Sequence, residues 1–170
     1  MRSAIAFVAC VIMLALINYS IVAKERHLES GKVVYLELAP IDPRSLMQGD
    51  YMALRFKIAN DARPVMDRSG VDRGGSTGTL TAADGRIVAR VDAASVAIFR
   101  RLDDGTPLAP DEILLRYRVR NGEIKFATNA YFFQEGTASQ YEDARYGEFR
   151  VSPDGEPLLT GLRGKELQPL

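Results

Sequence analysis

The chain opens on an almost unbroken apolar run, Ala4 to Ala23, interrupted only by Asn18, Tyr19 and Ser20. A helix rises 1.5 Å per residue, so about twenty such residues cross a hydrocarbon core of roughly 30 Å. After Lys24 the pattern changes to short alternations of apolar and polar residues. Lys32 to Leu38 alternates and is rich in Val, Tyr and Leu, as a half-buried strand is. Tyr51 to Ile58 repeats the pattern, with Met52, Leu54, Phe56 and Ile58 on a face to be buried and Tyr51, Ala53, Arg55 and Lys57 on the other. Asn60 to Gly75 turns polar, carries Pro64 and glycines, and reads as a loop.

Turn chemistry then divides the rest of the chain. Gly78 to Ala82 and Arg86 to Val91 flank Ala83-Asp84-Gly85, whose Asp-Gly predicts a hairpin turn. Ser95 to Arg101 is a short strand. Ile113 to Val119 and Glu123 to Ala127 flank Arg120-Asn121-Gly122, a stronger hairpin signal. Tyr131-Phe132-Phe133 is a compact aromatic run. Thr137 and Gln140 have capping-box spacing, predicting a helix from Ala138 to about Tyr146 that stops at Gly147. Glu148 to Ser152 and Leu158 to Leu162 flank Pro153-Asp154-Gly155 and predict a last hairpin. The expected fold is mainly antiparallel β, a sandwich or open barrel, with one short helix behind a single N-terminal transmembrane helix. The expected division is an anchor at 1–24 and a β-rich domain at 25–170.

Charge and cysteine usage narrow the function classes. The 22 basic and 22 acidic residues cancel, which leaves no net field to recruit nucleic acid. The lone cysteine, Cys10, sits in the apolar run, so neither an internal disulfide nor a cysteine metal cluster can form. His27 is the only histidine, and no metal or cofactor is expected. Ile21-Val22-Ala23 is a poor signal-peptidase site because isoleucine stands where a small residue is expected, so the segment reads as an uncleaved anchor in the bilayer. Its short N-terminal flank favours an external C-terminal domain, and long domains translocate largely regardless of charge. That places the protein in the inner membrane, single-pass, with a periplasmic domain.

The densest local chemistry runs from Asp42 to Met52. Asp42-Pro43 is a helix-start pair, Pro43 to Met47 suits one helical turn, and Gly49 suits a left-handed exit. Pro40, Asp42, Pro43, Gly49, Leu54 and Phe56 read as architecture, whereas Arg44, Asp50 and Tyr51 are candidates for contact with a partner or ligand. A hydrolase using Ser45 is the enzymatic alternative, although no lysine or histidine stands in a recognisable catalytic context beside it. A small-ligand site around Arg44 and Asp50 is the third reading.

Pro40-x-Asp42-Pro43-Arg44-Ser45-Leu46-x-x-Gly49-Asp50-Tyr51-x-x-Leu54-x-Phe56 resembles the defining motif of the GDYXXLXY family of membrane-anchored proteins, with Phe56 in place of the final tyrosine. Lys125-Phe126 through Glu135-Gly136, Arg150-Val151 and Leu159 to Arg163 are also similar to that family. The resemblance implies a single N-terminal anchor and an extracytoplasmic domain of unassigned activity. It also implies a polytopic membrane protein as partner. Together these expectations describe a membrane-anchored binding or assembly module.

Overall fold

The computed structural model describes residues 2–39, 47–48, 51–69, 83–128 and 130–170. The first element is a continuous helix, α1 (Arg2–Ser30). Its segment Phe7–Ser30 is long and apolar enough to cross a membrane, by length and composition. The helix therefore continues past Lys24 before Gly31 hands the chain to β1 (Lys32–Glu37).

The described residues beyond α1 form three antiparallel sheets. β1, β9 (Tyr146–Val151) and β10 (Pro157–Arg163) make the first, with β9 in the middle. The second is small: β2 (Met47–Gln48), β3 (Tyr51–Ala53) and β8 (Ala130–Phe132). β5 (Ala97–Leu102), β4 (Ala83–Val91), β6 (Glu112–Arg120) and β7 (Glu123–Lys125) follow one another across the third. A parallel bridge from Tyr35 to Val96 joins the first sheet to the third, and the Tyr35 N–H donates to the Ser95 carbonyl at 2.9 Å. At another point the Arg116 N–H donates to the Gly155 carbonyl at 2.7 Å. The result is a mainly antiparallel, half-barrel surface, which is the expected class.

The hydrophobic core lies inside this curve. Val34 and Leu36 from β1, Ile87 and Ala89 from β4, Leu115 and Val119 from β6, and Phe149 and Val151 from β9 meet there. Those of β1, β6 and β9 sit on the inward half of a period-two pattern, whereas in β4 Val88, between Ile87 and Ala89, is buried as well. Phe56 packs edge-on against Phe149 at 5.4 Å and Phe126 at 6.5 Å, centroid to centroid. Offset and edge-on pairs of this kind add to the gain from burial itself.

Two hairpins follow their turn residues. Asn121 (φ 56°) and Gly122 (φ 73°) both take the left-handed region, as a two-residue primed turn requires, and close Arg120 onto Glu123. Pro153 to Gly155 turns the chain from β9 to β10.

Four local expectations are corrected. The alternation from Tyr51 to Ile58 does bury Met52, Leu54, Phe56 and Ile58, but ladder pairing ends at Ala53. Phe56 makes only an isolated bridge to Leu38, and Lys57 begins a helix, α2 (Lys57–Ser69), where a strand end and a loop were expected. Ile58, Ala62 and Met66 recur every four residues and are all buried, so Ile58 serves both periods at once. Pro64 sits inside α2 and removes one donor; its counterpart, the Asn60 carbonyl, belongs to an exposed residue that water can reach.

Asp84 and Gly85 lie within β4, opposite Arg118 and Tyr117, and form no turn. A Cβ on Gly85 would stand 2.5 Å from the Tyr117 hydroxyl oxygen, so this glycine provides room for the ring. The partner segment expected at 78–82 lies outside the described residues.

The helix expected from Ala138 to Tyr146 is a single 3₁₀ turn, Ala138–Tyr141. Thr137 makes no side-chain cap; its hydroxyl donates back to the Gln134 carbonyl at 2.6 Å. Gly147 lies in β9, where a Cβ would stand 2.9 Å from Phe149 and 3.1 Å from Phe56. Finally, Met47 belongs to β2, so the helical turn expected through Met47 does not include it.

Candidate functional site

Pro40, Asp42, Pro43, Arg44, Ser45, Gly49 and Asp50 lie outside the described residues. The described part of the motif divides cleanly between core and surface. Leu54 and Phe56 are each only 4% exposed and belong to the core. Phe56 is surrounded by other rings, so a tyrosine hydroxyl has no role to fill there.

Tyr51 is the surface member. It stands directly opposite Phe132 in the β3–β8 ladder, with ring centroids 5.7 Å apart. Phe132 is 74% exposed, although residues on either side of it in the chain are partly buried. The alternation of β8 explains this. Tyr131 and Phe133 point the other way, where both rings meet Tyr141 at 5.3 and 5.2 Å. β8 is thus fastened from beneath by three rings while the fourth is presented outward.

Tyr131 carries a chemical marker of that arrangement. Burial, reinforced by its hydrogen bond with Tyr141, raises its pKa above the ordinary tyrosine value. A raised pKa favours the neutral phenol in the fold. The stabilisation is present below the ordinary value and is lost as pH rises through the elevated one. Spectrophotometric titration is expected to show a component ionising late in the alkaline range, and Tyr131→Phe is expected to diminish it. An unchanged titration in the variant would contradict this placement.

After β3, the same segment lines a groove of about 100 Å³ between α2 and β7. Leu54, Phe56, Ile124 and Phe126 supply apolar walls, and Arg55, Arg63, Lys125 and Glu123 supply charged groups. The Arg55 guanidinium pairs with Glu123 at 3.0 Å, and the Lys125 ammonium approaches the same carboxylate at 3.8 Å. Arg55 and Lys125 therefore share one carboxylate, and Arg63 adds a third cation to the groove's lining, in a protein whose total charge is zero. The sequence placed Arg55 on the polar face of its alternation and Lys125 in a family-like stretch, with no role attached to either, and marked neither Arg63 nor the outward direction of Phe132. For Phe132 and Lys125, the period-two pattern was the available signal.

Among the described residues, no group of three His, Cys, Asp or Glu side chains is placed to hold a metal ion. No polar or charged residue among them is fully buried. His27 stands near the end of α1, where its Nε2 donates to the Arg150 carbonyl at 2.9 Å.

An apolar helix followed by a small half-barrel β domain that presents Phe132 outward defines the structural class. The chain belongs to the GDYXXLXY family: the family model described as GDYXXLXY protein matches residues 13–162, most of the chain. No curated protein and no solved structure matches it.

Proposed function

We propose that this protein is a single-pass, membrane-anchored binding or assembly module. Its β domain lies on the periplasmic side of the inner membrane and docks onto an integral membrane protein through the Tyr51–Phe132 surface. The observation that carries this reading is Phe132, left 74% exposed on a strand whose other rings are packed. Burying a phenylalanine is worth about 1.5–3 kcal/mol, a gain that this residue forgoes in the isolated chain. Aromatic side chains are common centres of binding energy at protein interfaces.

α1 supports the anchoring, since its length and apolarity suit a bilayer and Lys24 marks where the apolar run ends. Phe132→Glu provides the test. Its exposed position predicts a melting temperature close to that of the parent, while co-purification with a membrane partner is expected to fall at least about tenfold. Undiminished co-purification with Phe132→Glu would remove this surface from the account.

A further inference from the structure

The end of α1 is clamped to the β domain. Lys24 Nζ pairs with Glu156 at 2.9 Å, His27 donates to the Arg150 carbonyl at 2.9 Å, and an Arg150 guanidinium nitrogen donates to the Gly31 carbonyl at 3.3 Å. The turn between β9 and β10 therefore lies beside the last turns of α1. Glu156, at the foot of that turn, is one side chain away from the place where the apolar run stops. If the apolar run fills the hydrocarbon layer, this part of the domain stands at the height of the lipid headgroups.

A groove of about 330 Å³ opens at this point, lined by Asp84, Arg116, Arg118, Ala127, Glu156 and Pro157. Its carboxylates are already engaged: Asp84 with Arg120 and Glu156 with Lys24, each at 2.9 Å. Arg118 spends one nitrogen on the Ala127 carbonyl at 2.8 Å, and its guanidinium makes no salt bridge among the described residues. The Arg116 side chain makes no salt bridge among the described residues, although it lies within the field of Asp154, itself hydrogen-bonded to Ser152. Arg116 and Arg118 are exposed and two apart in β6, so both side chains leave the same face of the strand. Backbone pairing from Arg116 to Gly155 fixes that strand against the turn.

We propose that the Arg116–Arg118 groove binds a phosphate group, and that an anionic lipid headgroup supplies it. The planar, permanently charged guanidinium fork matches phosphate oxygens, and the clamp on α1 holds the two forks where such headgroups are concentrated. This inference rests on the membrane-spanning role proposed for α1, but not on the Tyr51–Phe132 surface.

Full-length protein in phosphatidylcholine nanodiscs, with and without phosphatidylglycerol, tests it by native mass spectrometry of retained lipid. Selective retention of phosphatidylglycerol is expected, reduced at least about tenfold in an Arg116→Gln/Arg118→Gln variant. Arg90→Gln, which removes an exposed cation elsewhere on β4, is expected to leave retention unchanged. Equal retention by the double variant, with normal disc incorporation, overturns the groove assignment alone. Failure of the chain to incorporate overturns the spanning role and this inference with it. Binding of inorganic phosphate in phosphatidylcholine-only discs that matches phosphatidylglycerol in strength overturns the lipid as the source.

Discussion

Phe149→Ala is expected to destabilise the domain by about 3–5 kcal/mol. The side chain is fully buried on β9, the central strand of its sheet, between Val34 on β1 and Leu159 on β10 in the ladders. Its ring meets Phe56 at an interplanar angle of 72° and covers the space above Gly147. Removing it takes away transfer free energy and leaves a void whose walls belong to several elements and cannot readily collapse. Phe149→Leu retains most of the volume and is expected to cost less than half as much. Urea unfolding of the two variants provides the measurement. A loss below about 1 kcal/mol for Phe149→Ala would mean that the three-ring cluster is not the centre of the core.

Gly155→Ala is the second large effect, expected at about 2–4 kcal/mol from two additive causes. Gly155 sits at φ +86°, where a side chain strains the backbone, and its added Cβ would stand 2.8 Å from the Leu114 Cβ and 3.0 Å from Leu114 backbone atoms. A collision with a strand backbone cannot be relieved by rotating a side chain, so the turn must move away from β6. Gly136→Ala is the control, because Gly136 has φ +80° but an added Cβ would meet nothing within 4 Å. It should show the conformational cost alone, about 1 kcal/mol. Equal losses at the two positions in thermal unfolding would argue against close contact between the β9–β10 turn and β6.

The most readable parts of the fold were those whose signals are local. Asn121-Gly122 requires two left-handed residues, and Pro153-Asp154-Gly155 joins two alternating runs, so both hairpins could be read from short windows. The alternation of Met52, Leu54, Phe56 and Ile58 identified a buried face correctly while misjudging the backbone beneath it. α2 was hidden because its inward stripe is only Ile58, Ala62 and Met66, with the small Ala62 at its centre and Pro64 arguing against a helix. Asp84-Gly85 carried a turn signal, but the requirement was spatial: Tyr117, distant in sequence, needs the glycine's empty side. Thr137 and Gln140 had the right spacing for a cap, yet the Thr137 hydroxyl is directed toward Gln134.

The candidate site was readable to a smaller extent. Tyr51 was singled out from the motif and is partly buried opposite Phe132, while Leu54 and Phe56, read as architecture, lie in the core. Arg44 and Asp50, the other contact candidates, lie outside the described residues, as does Ser45. The exposure of Phe132 depends on which way β8 faces in its ladder with β3. The groove of Arg55, Arg63 and Lys125 gathers two stretches far apart in the chain, 54–63 and 123–128, which no single sequence window contains.

A photo-crosslinking residue placed at position 132 in intact cells tests the central claim most directly, with position 104, an exposed site in the β5–β6 connection, as the comparison. A discrete adduct with one integral membrane protein is expected from position 132 and none from position 104. No adduct from position 132, or the same diffuse adducts from both positions, would contradict it.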